Sequence, residues 1–298
     1  MAVMNEYTIQ RSLTLAQAIE EYFMAKRAQR LSQNTINDYT VTLKRFLYFI
    51  GADTPFAEIT PSHIRDFLAT LNTSNKTVRN AHITLSSLWT WALADGLCYE
   101  HVVRKVTPPE PEQRIIKPLT YEEVKRLIAE ASKRDAKRNR ALILFLLDTG
   151  VRASELCSLT IENLRGNTVS VLGKGSKERE IPLSANLLHA LLDYLSTRKN
   201  AGRKAPLFAT KSERPLKRQS LLKWLVRLGE RAGVSNVHPH RFRHTFAVTY
   251  LRNGGDALSL QRLLGHSSLD MVKKYVQLAS EDLAAIHKRA SPVSNWNL

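Results

Sequence analysis

Between Val106 and Arg114 the chain reads Val-Thr-Pro-Pro-Glu-Pro-Glu-Gln-Arg, with three prolines in nine residues. A helix interior does not tolerate this, because each proline removes a backbone donor and clashes with the preceding turn. Such a stretch is extended. It predicts a linker over 106–118, with one domain over 1–105 and a second over 119–298. Each segment is long enough to bury a core of its own.

The first segment carries helical periodicity throughout. Leu15, Ala18, Ile19, Tyr22 and Phe23 share one face of a helix over 13–26. Ser32 or Asn34 caps a second helix, whose stripe is Ile36, Tyr39, Leu43, Phe46, Leu47 and Ile50 and which Gly51 ends. Thr60-Pro61 opens a third, with proline suited to the first turn, and 73–93 gives a fourth. No strand signal interrupts this small bundle.

Beyond the linker, Thr120-Tyr-Glu-Glu123 has the form of a capping box. A basic stretch over 133–140 leads into an apolar helix over 141–147. Residues 168–172 and 178–183 are β-like, and Gly173-Lys-Gly-Ser-Lys177 turns between them as a hairpin with a basic tip. Helices are expected at about 185–198, 217–232, 240–253, 256–264, 268–277 and 280–290. The fold class is mainly α with a small β component.

Charge separates the two segments further. Of 44 Lys+Arg and 27 Asp+Glu, residues 1–100 hold nine of each, while residues 119–298 hold 31 basic and 16 acidic side chains. A field of that sign favours a polyanion, whose counterions are released on binding. Aromatics are only 7 %, with no visible stacking platform, which argues against RNA. No apolar run approaches the roughly 18 residues of a membrane span, and Met1–Arg11 lacks the apolar stretch of a signal peptide, so the expected location is the cytoplasm. Cys98 and Cys157 are the only cysteines, too few for a disulfide framework or a cysteine-based metal site.

Several short segments carry chemistry. In Thr149-Gly-Val-Arg152, an arginine follows a glycine at a helix start, where it reads as a phosphate ligand or as an ordinary surface arginine. Glu155 is placed to orient Arg152 or a nearby histidine, and equally suits a first-turn acid. His238-Pro-His-Arg-Phe-Arg-His244 packs three histidines and two arginines into seven residues. The i, i+4 pair His240 and His244 admits a metal reading, but the glutamate of H-E-x-x-H is missing and no third ligand is evident. Pairing His240 with Arg243 sets a proton-handling group beside a fixed cation on one helical face. His266 follows a helix break at Gly265, and Tyr275 comes nine residues later.

Taken together, these segments resemble the tyrosine recombinase (phage integrase) family, most closely its Xer-like branch. The resemblance rests on Thr149-Gly-Val-Arg152 with Glu155, Gly173-Lys174-Gly175, Pro239-His240-x-x-Arg243-His-Thr-Phe246, Leu264-Gly-His266 and Tyr275, in that order. Leu31-Ser-Gln-Asn-Thr-Ile-x-x-Tyr39, with Phe46, resembles the family's SAM-like core-binding domain. His238 and Arg241 also read H-x-x-R, but His244-Thr-Phe246 fixes the register on His240 and Arg243. Phe242 and Val272 stand where relatives usually carry leucine and threonine.

The resemblance implies a DNA recombinase that forms a 3′-phosphotyrosine through Tyr275 and needs no cofactor or metal. In that scheme Arg152 and Arg243 clamp the phosphate, His266 adds a hydrogen bond, His240 handles the tyrosine proton and Lys174 protonates the leaving 5′-oxygen. It further implies double-stranded DNA as partner, a tetramer on two DNA sites, and a C-terminal segment at 280–298 docking on a neighbour through Leu283, Ala284 and Ile286. A type IB topoisomerase or a non-catalytic DNA-binding regulator are the rival readings.

Overall fold

The computed structural model describes residues 12–110, 112, 116–173, 177–198, 201–266 and 268–279, together with 287, 291 and 293. The chain forms two compact units, residues 1–114 and 115–298. Among the described residues no helix is long and apolar enough to cross a membrane.

The first unit is helical. Its helices are α1 (Leu15–Ala28), α2 (Gln33–Ile50), α3 (Pro61–Thr70) and α4 (Asn75–Ala94). Each start is capped by a hydroxyl: Thr14, Ser32, Thr60 and Ser74 accept from the backbone N–H groups of Gln17, Thr35, His63 and Thr77. Of the two cap candidates for α2, the structure uses Ser32. The apolar stripes meet in a core of Leu15, Tyr22, Leu43, Phe46, Phe67 and Trp89. Phe46 and Phe67 sit edge to face with centroids 5.0 Å apart. Val106 belongs to this core, and its carbonyl lies 2.7 Å from His82 Nε2.

In the second unit, α5 (Tyr121–Ala131) begins with the capping box: Thr120 Oγ1 accepts from Glu123 N, and Glu123 Oε2 from Thr120 N. Residues 136–149 form one helix, α6 (Ala136–Thr149), so the basic stretch and the apolar run are continuous. Asp148 lies in its last turn, and its carboxylate accepts from Ser184 N at 2.9 Å. After α7 (Ala153–Ser158) come three antiparallel strands, β1 (Leu164–Arg165), β2 (Thr168–Leu172) and β3 (Glu178–Pro182), in the order β1-β2-β3. The expected hairpin is β2–β3, in register Val169↔Ile181 and Val171↔Arg179. The short β1 extends it by pairing Leu164 with Val169.

The remaining helices are α8 (Ala185–Leu195), α9 (Arg218–Ala232), α10 (Pro239–Arg252), α11 (Ala257–Leu264) and α12 (Asp270–Ala279). The main core gathers Leu127, Ile143, Phe145, Val169, Ile181, Leu191, Leu225 and Phe242. A smaller cluster, with Ala247, Val248, Leu260, Leu264, Val272 and Tyr275, joins α10, α11 and α12. The helix expected at 280–290 and the strip Leu283, Ala284 and Ile286 lie outside the described residues.

Candidate active site

Arg152, His240, Arg243, His266 and Tyr275 line one cleft of about 1170 Å³, together with Lys177, Arg179, Arg218 and Arg262. Lys174 lies outside the described residues. Five of the six residues read from the sequence therefore share a wall, although Arg152 and Tyr275 are far apart along the chain.

Local backbone geometry places each one. Gly150 caps α6 with φ +58°, and a Cβ there would meet Phe246 at 2.5 Å. This turn brings Arg152 to the N-cap of α7, where its N–H donates to Glu155 Oε2 at 2.8 Å and its Nη1 to Glu155 Oε1 at 2.9 Å. Arg243 sits on α10, 4 % exposed, donating to Gly150 O and Leu264 O, each at 2.8 Å. Gly265 ends α11 with φ +64°, which aims His266 back at Arg243. Arg243 Nη2 and His266 Nε2 are 2.7 Å apart. Arginine can only donate, so Nε2 accepts and the ring proton sits on Nδ1. Nδ1 is buried and has no hydrogen-bond partner among the described residues.

Tyr275 is 5 % exposed on α12, between two imidazoles. Its ring centroid is 6.3 Å from that of His266, nearly parallel, and 5.3 Å from that of His244, tilted. Burial raises its hydroxyl pKa, and the nearby Arg243 and Arg152 guanidiniums pull against that without cancelling it. The phenol is therefore neutral near pH 7, and its oxygen can act as a nucleophile only by giving up that proton. Burial, then the charges of Arg243, Arg152 and Arg179, lower His266 to about 4, so this imidazole is neutral as well. Burial and Arg152 lower Arg243 only to about 10, which leaves it a cation.

Arg179, Arg218 and Arg262 of this wall escaped the sequence reading, and the first is the most tightly built in. Arg179 on β3 donates to both oxygens of Glu155, at 3.2 and 2.8 Å, and through Nε to Leu263 O at 2.8 Å. Its signal was present: Arg179 alternates inward with Ile181 on a strand whose neighbours Glu178 and Glu180 face out. Glu155 is neither a solvated acid nor a histidine partner. It is 5 % exposed and shared by two arginines, whose bonds hold its carboxyl below the usual range against the opposing effect of burial. Arg241 of the rejected H-x-x-R register is a structural residue, bound to Glu123 at 2.9 Å and to Ser235 O at 2.6 Å. Among the described residues there is no group of three or more His, Cys, Asp or Glu placed to hold a metal.

An arginine clamp beside a buried, neutral tyrosine is suited to attack on a phosphodiester. Residues 117–282 match the phage integrase family, and 18–97 match the phage integrase N-terminal SAM-like domain. The chain belongs to the phage integrase family. It is a tyrosine-type site-specific recombinase. Among its relatives is tyrosine recombinase XerA of Pyrococcus furiosus, 32 % identical over 287 residues that cover 94 % of this chain and 96 % of the relative. Tyrosine recombinase XerC of Pelobacter propionicus is 30 % identical over 275 residues, 89 % of this chain and 91 % of the relative. A lambda integrase tetramer bound to a Holliday junction superposes with TM-score 0.74 at 21 % identity, covering 92 % of this chain and 80 % of that one, a likeness of fold. Neither the topoisomerase nor the regulator reading is favoured by these relatives of an integrase-family recombinase.

Proposed function

We propose that this recombinase acts on double-stranded DNA in the cytoplasm, and that Tyr275 is its nucleophile. The observation that carries the assignment is the buried phenol beside the Arg152 and Arg243 guanidiniums in one cleft. Tyr275 Oη attacks the scissile phosphorus, a 3′-phosphotyrosyl bond forms and the bond to the 5′-oxygen breaks. His240, in the same cleft, takes the phenol proton, and Lys174 supplies one to the leaving 5′-oxygen. Attack by a 5′-hydroxyl of the partner strand reverses these steps. The linkage retains the energy of the broken ester, so the scheme needs no energy source and assigns no step to a metal.

Arg152 and Arg243 stabilise the added charge on the non-bridging oxygens. When phosphate oxygens take over the Arg243 N–H, His266 Nε2 is released, and a tautomer change lets it donate to the same oxygens. Strand exchange takes four protomers on two DNA sites, a reading supported by the tetrameric state of the lambda integrase that shares this fold. The segment 280–298 supplies the contact between neighbours.

The test uses a DNA substrate nicked close to the cut site, which traps the covalent adduct. Wild type is expected to shift on a denaturing gel, while Tyr275→Phe binds the same DNA and gives no adduct. Equal trapping of the Phe variant would show that the nucleophile is another residue.

A further inference from the structure

Three guanidiniums converge on the C-terminal end of α11. Arg179 Nε donates to Leu263 O at 2.8 Å, Arg243 Nη2 to Leu264 O at 2.8 Å, and Arg152 reaches Leu264 O and Gly265 O at 3.5 Å. The last carbonyls of a helix lack intrahelical partners and carry its negative dipole end. Glu155 closes the other side of this anionic socket, binding Arg152 and Arg179. The two differ in exposure. The Arg152 side chain is 40 % exposed and faces the cleft, whereas that of Arg179 is 12 % exposed, with Nε and both terminal nitrogens already bonded.

We infer that Arg179 is a positioning residue of the arginine clamp, acting on Arg152 through Glu155. Without it, Glu155 is held by Arg152 alone, through the backbone N–H on Oε2 and Nη1 on Oε1; the carboxylate is no longer fixed from β3, so it can turn and carry the Arg152 guanidinium out of place. Lysine at 179 keeps the charge but contacts one oxygen at a time, so it does not hold the carboxylate plane. The inference rests on the clamp role proposed above for Arg152.

The experiment measures single-turnover cleavage by the full-length protein with Arg179→Lys and Arg179→Ala. It uses ordinary DNA and a substrate whose scissile phosphate is a neutral methylphosphonate. Loss of a correctly placed clamp is expected to slow ordinary DNA about a hundredfold, the scale of a misplacement near 1 Å. The phosphonate lacks the charge the clamp stabilises, so the same variants are expected within about tenfold of wild type on it. Arg179→Lys combined with Glu155→Gln is expected to be no slower than the worse single variant, since both act through one contact. Equal loss on both substrates, multiplying losses in the double variant, or wild-type cleavage by Arg179→Lys would overturn the inference. If Arg152→Ala also fails to recover on the phosphonate, the clamp assignment itself falls.

Discussion

The two units bury different kinds of side chain. Among the described residues of 1–114 the large buried side chains include Trp89, Tyr22, Phe46, Phe56 and Phe67, and the buried polar groups are Thr84 and His101. In residues 115–298 the buried set includes Glu155, Arg241, Arg243 and His244. Apolar burial stabilises without regard to direction. Buried charge is held only by exact partnering, and it collapses in value when one partner is removed. Both units bury an apolar core, and the second in addition spends part of its interior on a preorganised field. Charge follows the same division: nine basic and nine acidic residues in 1–100 against 31 and 16 in 119–298.

The sharpest way to break this comparison is to cross its two halves. Trp89→Ala, in the first core, is expected to cost about 3–5 kcal/mol of stability while leaving the chemical step of the surviving folded protein unchanged. Arg152→Lys, in a cleft 40 % open at that side chain, is expected to leave the melting temperature nearly unchanged and to slow cleavage by about 10²–10³. Urea denaturation and single-turnover cleavage on both variants decide it. A cleavage defect in folded Trp89→Ala would mean that the first core reaches into the chemistry.

A smaller effect sharpens the charge contrast. Each phosphate neutralised adds a slope of about −0.9 in log K against log salt. Titrating the two units separately on nonspecific duplex should give the steeper slope for 115–298. A steeper slope for 1–114 would contradict the charge argument.

The smallest effect expected is on pH dependence. His266 titrates near 4 in the folded chain and near its ordinary 6.5 when unfolded. Between those values the unfolded state binds more protons, so His266 costs stability as pH falls from about 6.5 towards 4. His238 and His244 shift in the same direction through burial, and so does His101 in the first unit. Thermal melts at pH 7.5, 6 and 5 should show a shallower decline for His266→Gln than for wild type. An identical decline would place the proton uptake elsewhere.

Residues that act through local backbone were legible in the sequence. The hydroxyl caps at Ser32 and Thr60, the box at Thr120 and Glu123, and the glycine stops at Gly51 and Gly265 all express rules that span four or five residues. The order of the short motifs carried the resemblance to the family, because each candidate group stands in its own local setting. Other features depend on segments distant along the chain. Glu155 reads as an orienter of Arg152 or of a histidine, or as a first-turn acid, until β3 brings Arg179 against it as a second arginine partner. His266 is singled out in the sequence by resemblance alone; its fall to about 4 comes first from burial and then from Arg243, Arg152 and Arg179, which come near it only in the folded chain. Local rules come from sterics and hydrogen bonds within one turn. Burial and electrostatic coupling instead depend on distances that exist only once the chain has packed.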